Sequence, residues 1–138
     1  MKRIYLDVDG VLLGESAGRV ALASHAAEFV EFLLARYDVY WLTTHCAGDA
    51  QTVLTYLARY APHCFIARLS PIKPTRFDVL KTEALGGDFY WLDDSPLGVE
   101  LAHLRRRGLF DRWIEVNTRI RPDDLLFAMH ELSATHTS

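Results

Sequence analysis

The chain has 138 residues, a formal net charge of -3 and a hydrophobic content of 50%. This length and apolar content predict one compact domain with a continuous core. The slightly acidic balance excludes a general electrostatic attraction to nucleic acid or to anionic membranes, although it does not exclude a local basic surface.

The first half of the chain alternates between strand-like and helix-like patterns. A strand is predicted over Arg3–Leu6, and a helix over Ser24–Tyr37 with Ser24 as its N-cap. A second strand follows over Val39–Leu42, and then a helix over Asp49–Tyr60. The short apolar run Cys64–Ala67 predicts a third strand.

The second half repeats the alternation. A short helix is predicted over Thr75–Leu85, closed by two glycines, and a strand over Phe89–Leu92. Ser95 and Pro96 are typical of a helix start, so a helix is predicted from Pro96 to about Arg107. A last strand, Trp113–Val116, precedes a helix that opens at Pro122. This alternation predicts a parallel sheet covered by helices on both faces.

The ends and the cysteines of the chain bear on its organisation. One domain is predicted over residues 1–133, with residues 134–138 as a frayed tail. The start of the chain has no signal-peptide pattern, and no apolar run reaches the length of a membrane span. We therefore expect a cytoplasmic protein in which Cys46 and Cys64 are reduced, with a disulfide between them as the minor alternative.

Polar residues follow three of the predicted strands at the point where each strand ends. The carboxyl ends of parallel strands meet at one edge of such a sheet, where ligands bind. These residues are Asp7, Asp9, Thr43, Thr44, His45, Asp93 and Asp94. Carboxylates gathered at one edge repel one another, and a raised pKa or a bound divalent cation relieves that repulsion. Oxygen ligands of this kind favour Mg²⁺, whereas each Asp pair alone is equally compatible with a turn or a helix cap.

The motifs DVDGVL, Thr after VYWL, a later lysine, and FYWLDDS together resemble the four motifs of the haloacid dehalogenase (HAD) superfamily, in order. The resemblance spans residues 3–96. It implies a Rossmann-like three-layer α/β/α sandwich with a five-stranded parallel sheet of order 5-4-1-2-3. It also implies Mg²⁺-dependent phosphoryl transfer through an aspartyl-phosphate.

The resemblance assigns roles to the strand-end residues. Asp7 is expected to be the nucleophile and Asp9 the general acid and base, and an Asp at this second position favours phosphoester hydrolysis. Mg²⁺ is expected on Asp7, on the backbone carbonyl of Asp9, and on Asp93 or Asp94. Thr43 is expected to donate its hydroxyl to the phosphate.

Three assignments stay open. Thr44 replaces Thr43 if the second strand ends one residue later. The active-site lysine is Lys73, which the position ahead of the predicted helix favours, or Lys81, which the FDVLKTEAL context favours. His45 either touches the substrate or is a hydrogen-bonded loop histidine.

Short connections predict that no cap domain is present. Residues 13–23 and 68–74 are too few to form one. An open site accommodates a large substrate, such as a phosphoprotein or a nucleic-acid end, or else requires a partner subunit, as in a homo-oligomer, to close it. Arg119 and Arg121 follow the last strand, where they are either solvated loop charges or charges that steer a phosphorylated partner. The alternatives are a non-catalytic phosphate- or partner-binding module and a phosphotransferase to an acceptor other than water.

Overall fold

The computed structural model describes residues 1–136, which form six strands and five α-helices. The strands are β1 (Arg3–Leu6), β2 (Leu13–Ser16), β3 (Arg19–Leu22), β4 (Asp38–Trp41), β5 (Phe89–Asp93) and β6 (Trp113–Glu115). The helices are α1 (Ala26–Arg36), α2 (Ala50–Leu57), α3 (His63–Ala67), α4 (Gly98–Arg106) and α5 (Asp124–His136). The predicted α/β alternation is confirmed.

Four strands form a parallel sheet of order β4-β1-β5-β6. β1 lies at its centre and pairs with β4 on one side and β5 on the other, so that Leu6 faces Trp41 and Leu92 across the two ladders. β6 pairs with β5 at the far edge. The central strand is buried on both sides, which explains why it reads as a continuous apolar run.

Alternate residues of the central strands feed two hydrophobic clusters. Ile4 and Leu6 pack into the larger cluster, which contains the apolar residues of α1, α2, α3 and α5. Tyr5 points the other way and packs with Trp91 and with Leu104 of α4. Helices therefore lie on both faces of the sheet. The carboxyl end of β1 is buried between them.

The predicted third strand is wrong, so the sheet has four of the five predicted strands, and these four lie in the predicted relative order. Residues Cys64–Ala67 lie in α3, which begins after Pro62 and buries Phe65. A run of four apolar residues does not distinguish a strand from a helix turn by its periodicity. The edge beyond β4 is instead met by Lys73, which forms a single parallel bridge with Tyr40.

The predicted helix over Thr75–Leu85 is also wrong. Only a short 3₁₀ helix forms there, over Lys81–Ala84. The side chain of Glu83 accepts hydrogen bonds from the backbone N–H groups of Asp78, Val79 and Leu80 at 2.7–3.1 Å. These bonds satisfy the backbone locally and compete with a regular helix.

Helix ends differ from the predicted caps. α1 begins at Ala26 after His25, which has a φ of 68° and provides no side-chain cap, so Ser24 is not the N-cap. α4 begins at Gly98, not at Pro96. α5 continues through His136, so residues 134–136 of the predicted tail are helical, and residues 137–138 lie outside the described part of the chain.

The segment between β1 and α1 is a small antiparallel hairpin formed by β2 and β3. Within the described residues 1–136, this hairpin is the only regular secondary structure between β1 and α1. It follows β1 and therefore begins at the carboxyl edge of the sheet.

Candidate active site

Three carboxylates meet at the carboxyl ends of β1 and β5. One oxygen from each of Asp7, Asp93 and Asp94 lies within 4.8 Å of the others. Asp7 follows β1 directly and Asp93 ends β5, and because these two strands are neighbours, their last residues are brought together. Asp7 and Asp93 are almost fully buried, at 6% and 1% exposure. The predicted convergence of the two acidic motifs is thus present in the fold.

Lys81 lies against this cluster. Its Nζ is 2.6 Å from Oδ2 of Asp93 and 3.3 Å from Oδ1 of Asp7. The backbone N–H of Lys81 donates a hydrogen bond to Oε2 of Glu100, and the backbone N–H of Leu97 donates one to Oε1 of the same side chain. Glu100 is buried. Its two hydrogen bonds connect the 3₁₀ helix to the start of α4, and they fix the position from which the Lys81 side chain extends.

Burial and mutual repulsion shift the titration of the acids. Burial, reinforced by the charge of Asp93, raises the pKa of Asp7 to about 8, although Lys81 opposes this shift. Burial and the neighbouring Asp93 also raise the pKa of Asp94. Burial tends to lower the pKa of Lys81, but the charges of Asp7 and Asp93 outweigh it and raise that pKa. Full ionisation of the three acids would therefore place more negative charge in the cluster than Lys81 alone offsets.

Gly10 makes room for Asp94. Its φ is +78°, a conformation that favours glycine, and a Cβ placed on it would collide with the side chain of Asp94. Arg119, in the loop after β6, reaches the same carboxylate from the other side, with Nη1 3.1 Å from Oδ2 of Asp94. The other arginine of that loop, Arg121, pairs with Asp124 and Glu115 instead.

Asp9 has a different environment from Asp7. Its two carboxylate oxygens are held separately: the hydroxyl of Tyr56 donates to Oδ1 at 2.6 Å, and Nε2 of His45 lies 2.8 Å from Oδ2. The two rings stack, with centroids 3.7 Å apart. Partial burial acts to raise the pKa of Asp9, but the hydrogen bonds from Tyr56 and His45 outweigh it, and the net shift is downward.

The two threonines after β4 differ in burial. Thr43 is buried, at 1% exposure, and its Oγ1 accepts a hydrogen bond from the backbone N–H of His45 at 3.3 Å. Thr44 is exposed. The Thr43 hydroxyl can still donate, and Thr43 is the threonine that lies at the end of the sheet.

The geometric preference for Lys73 is wrong. Its Nζ lies 2.9 Å from Oδ1 of Asp38, which begins β4 and so lies at the opposite end of that strand from Thr43. The preference assumed that Lys73 entered a helix from the carboxyl edge, whereas Lys73 bridges to Tyr40 within the sheet. Of the two candidates, Lys81 is the one beside Asp7.

Two residues of the site were missed in the sequence. Tyr56 lies in the last turn of α2, and helical side chains lean toward the helix N-terminus, so a long side chain there reaches back toward the sheet edge. Glu100 follows Leu97 by three residues, the spacing of a capping box. Both patterns can be recognised in the sequence, but neither predicts which residue or ligand the side chain contacts.

Comparison with family models, curated proteins and solved structures finds no match to this chain. Among the described residues, none of the helices has the length and apolar character needed to cross a membrane. Both cysteines are free thiols, Cys46 buried and Cys64 exposed.

Proposed function

We propose that this chain is a Mg²⁺-dependent phosphatase of the HAD type, with a Rossmann-like fold, that hydrolyses a phosphoester through an aspartyl-phosphate on Asp7. The observation that carries the proposal is the contact of Asp7 with both the carboxylate cluster and Lys81. Asp7 is one of three acids with oxygens within 4.8 Å of one another, and Lys81 lies 3.3 Å from it, which supports a nucleophilic role for Asp7 beside a cation and a fixed positive charge.

The chemistry of the donor set fits Mg²⁺. The ligands would be carboxylate oxygens of Asp7, Asp93 and Asp94, together with the backbone carbonyl of Asp9. Oxygen donors suit this hard cation. Burial and the repulsion from Asp93 raise the pKa of Asp7 and Asp94, and a bound cation would favour the ionised forms that coordinate it. When bound, Mg²⁺ supplies neutralisation of the phosphoryl oxygens and of the attacking carboxylate.

In the first step, a carboxylate oxygen of Asp7 attacks phosphorus, and the bond from phosphorus to the leaving oxygen breaks. Lys81 and the hydroxyl of Thr43 stabilise the negative charge on the equatorial oxygens. Asp9 donates a proton to the leaving oxygen. The negative charge of the bound phosphoester raises the pKa of Asp9, against the lowering by its hydrogen bonds. Because like charges repel, the substrate disfavours the ionised form of Asp9.

In the second step, Asp9 accepts a proton from water, and that water attacks the phosphorus of the aspartyl-phosphate. The bond from phosphorus to the Asp7 oxygen breaks, and inorganic phosphate leaves. Asp9 is in its ionised form at the start of this step, and the hydrogen bonds that lower its pKa favour that form.

A large phosphorylated substrate, a phosphoprotein or a nucleic-acid end, suits this site. The hairpin of β2 and β3 takes the place of a cap, and it contains too few residues to enclose a small metabolite. The cytoplasm remains the expected compartment.

The test is hydrolysis of para-nitrophenyl phosphate by the purified chain, with Mg²⁺ and with EDTA, followed by a panel of phosphoesters. We expect turnover with Mg²⁺ only, and better turnover of phosphopeptides or phosphorylated oligonucleotides than of sugar phosphates. Phosphate binding without turnover would support the non-catalytic module. Release of the leaving group without inorganic phosphate, in the presence of alcohols, would support a phosphotransferase.

A further inference from the structure

We propose that Tyr56 and His45 are positioning residues that hold the Asp9 carboxylate toward the leaving group of the phosphoester. This inference rests on the proposed function. It gives Tyr56 and His45 a role that the four sequence motifs do not assign to either residue. It assigns α2 and the loop before it to the leaving-group side of the site.

The geometry of the contacts carries the inference. Tyr56 and His45 each hold a different oxygen of Asp9, at 2.6 and 2.8 Å. Two hydrogen bonds to opposite oxygens fix both the position and the rotation of a carboxylate, whereas one bond would leave the rotation free. Since a carboxylate accepts, the ring nitrogen of His45 that faces Asp9 is the donor in this pair.

The two donors are themselves fixed. The His45 and Tyr56 rings stack at 3.7 Å with an interplanar angle of 15°. The hydroxyl of Thr52 donates to the backbone oxygens of His45 and Asp49, at 2.6 and 2.8 Å, and Asp49 caps α2. The loop and the first turn of α2 therefore form one hydrogen-bonded unit, and a group held by such a unit loses little further entropy when it reacts.

There is space beside this pair for a leaving group. His45 and Tyr56 line a groove of about 460 Å³ on α2, together with Gln51, Thr52, Thr55 and Arg59. The carboxylate cluster and Lys81 contact Asp7, while the hydrogen bonds to Asp9 come from α2 and from the loop before it. A proton donor must face the leaving oxygen, so the part of the substrate beyond that oxygen is placed in the groove.

The test compares two leaving groups. Para-nitrophenolate departs without a proton, whereas phenolate, whose conjugate acid resembles the Tyr side chain with a pKa of about 10, benefits from one. We expect Tyr56→Phe to lower kcat/KM for phenyl phosphate by about tenfold or more, and for para-nitrophenyl phosphate by less than about threefold. Tyr60→Phe is the matched control, because Tyr60 contacts Tyr56 edge to face and its hydroxyl makes no hydrogen bond to Asp9.

His45 provides a second arm. His45→Ala should reproduce the leaving-group dependence of Tyr56→Phe, and His45→Gln, which restores an N–H donor at similar reach, should recover part of the loss on phenyl phosphate. Equal losses on both substrates in Tyr56→Phe and His45→Ala would overturn the positioning role alone, because a structural defect does not distinguish leaving groups. Absence of turnover of either ester by the wild-type chain would overturn the proposed function itself.

Discussion

Asp7 and Asp9 are two residues apart, yet the fold gives them opposite environments. Asp7 is buried among acids, which raises its pKa to about 8, while hydrogen bonds from Tyr56 of α2 and from His45 in the loop before it lower the pKa of Asp9. Because both residues are aspartates, the difference arises from burial and from neighbouring groups. A cation bound at the cluster would favour the ionised form of Asp7, so the two acids respond to different ligands: Asp7 to the metal and Asp9 to its hydrogen-bond donors.

The largest expected effect comes from removing the buried member of the pair. Asp7→Asn should lower turnover of para-nitrophenyl phosphate by about 10⁴-fold or more, since no other residue supplies the nucleophile. Asp111→Asn, at an exposed acid remote from the cluster in sequence, is the control and should retain activity. Substantial turnover by Asp7→Asn would show that the different environments of Asp7 and Asp9 do not correspond to different catalytic roles.

The lysine beside Asp7 should have the next largest effect. Lys81→Met is expected to lower kcat by about 10²-fold or more, because it removes the fixed positive charge beside the attacking carboxylate. Lys73→Met should stay within about twofold of the wild type, since Lys73 pairs with Asp38 at the other end of β4. Steady-state kinetics of both variants decides between them, and a larger loss in Lys73→Met would reverse the assignment.

The raised pKa of Asp7 predicts a pH dependence of stability in metal-free protein. The folded state holds the Asp7 proton up to about pH 8, whereas the unfolded chain releases it near the ordinary Asp value of 3.8. Between these values the folded state binds more protons, so the free energy of unfolding should fall as pH rises, with a contribution from Asp7 of at most about 1.4 kcal/mol per pH unit.

Urea unfolding in EDTA across this range measures the effect. Asp7→Asn should show a flatter profile, because it removes the titrating group and leaves the others in place. A wild-type profile that rises with pH relative to Asp7→Asn would contradict the assigned burial and repulsion at Asp7.

The smallest expected effect tests the metal side of the cluster without changing a ligand. Gly10→Ala should weaken stabilisation by Mg²⁺, with an apparent affinity reduced about tenfold, because the added Cβ displaces Asp94 and because the residue has a positive φ. Gly18→Ala is a matched control: its φ is +77° and no atom lies within 4 Å of the added Cβ. Thermal unfolding with increasing Mg²⁺ compares the two, and an equal loss in both variants would assign the effect to backbone strain alone.

Much of the site was predictable because it lies at the ends of strongly apolar strands. The runs before Asp7 and Asp93 identify β1 and β5, and parallel pairing of these strands then places the acids together. Thr43 was predicted from the same pattern in β4.

The remainder depends on tertiary contacts that override local patterns. The FDVLKTEAL context favoured Lys81, whereas the geometric argument for Lys73 assumed a helix over Thr75–Leu85. That helix does not form, because Glu83 satisfies the backbone there and Glu100 holds Lys81. The run Cys64–Ala67 was too short to distinguish a strand from a helix. Tyr56 was hidden because its partner, Asp9, is 47 residues away in sequence.

The most direct test of the central claim is detection of the phosphorylated enzyme. Asp9→Asn removes the base of the second step, so acid quenching of this variant after incubation with para-nitrophenyl phosphate and Mg²⁺ should trap one phosphoryl group per chain. Mass spectrometry should place that group on the peptide containing Asp7, and hydroxylamine should release it, as expected for an acyl phosphate. Absence of an adduct, an adduct on another residue, or an adduct that persists when Asp7 is also changed to Asn would contradict the account.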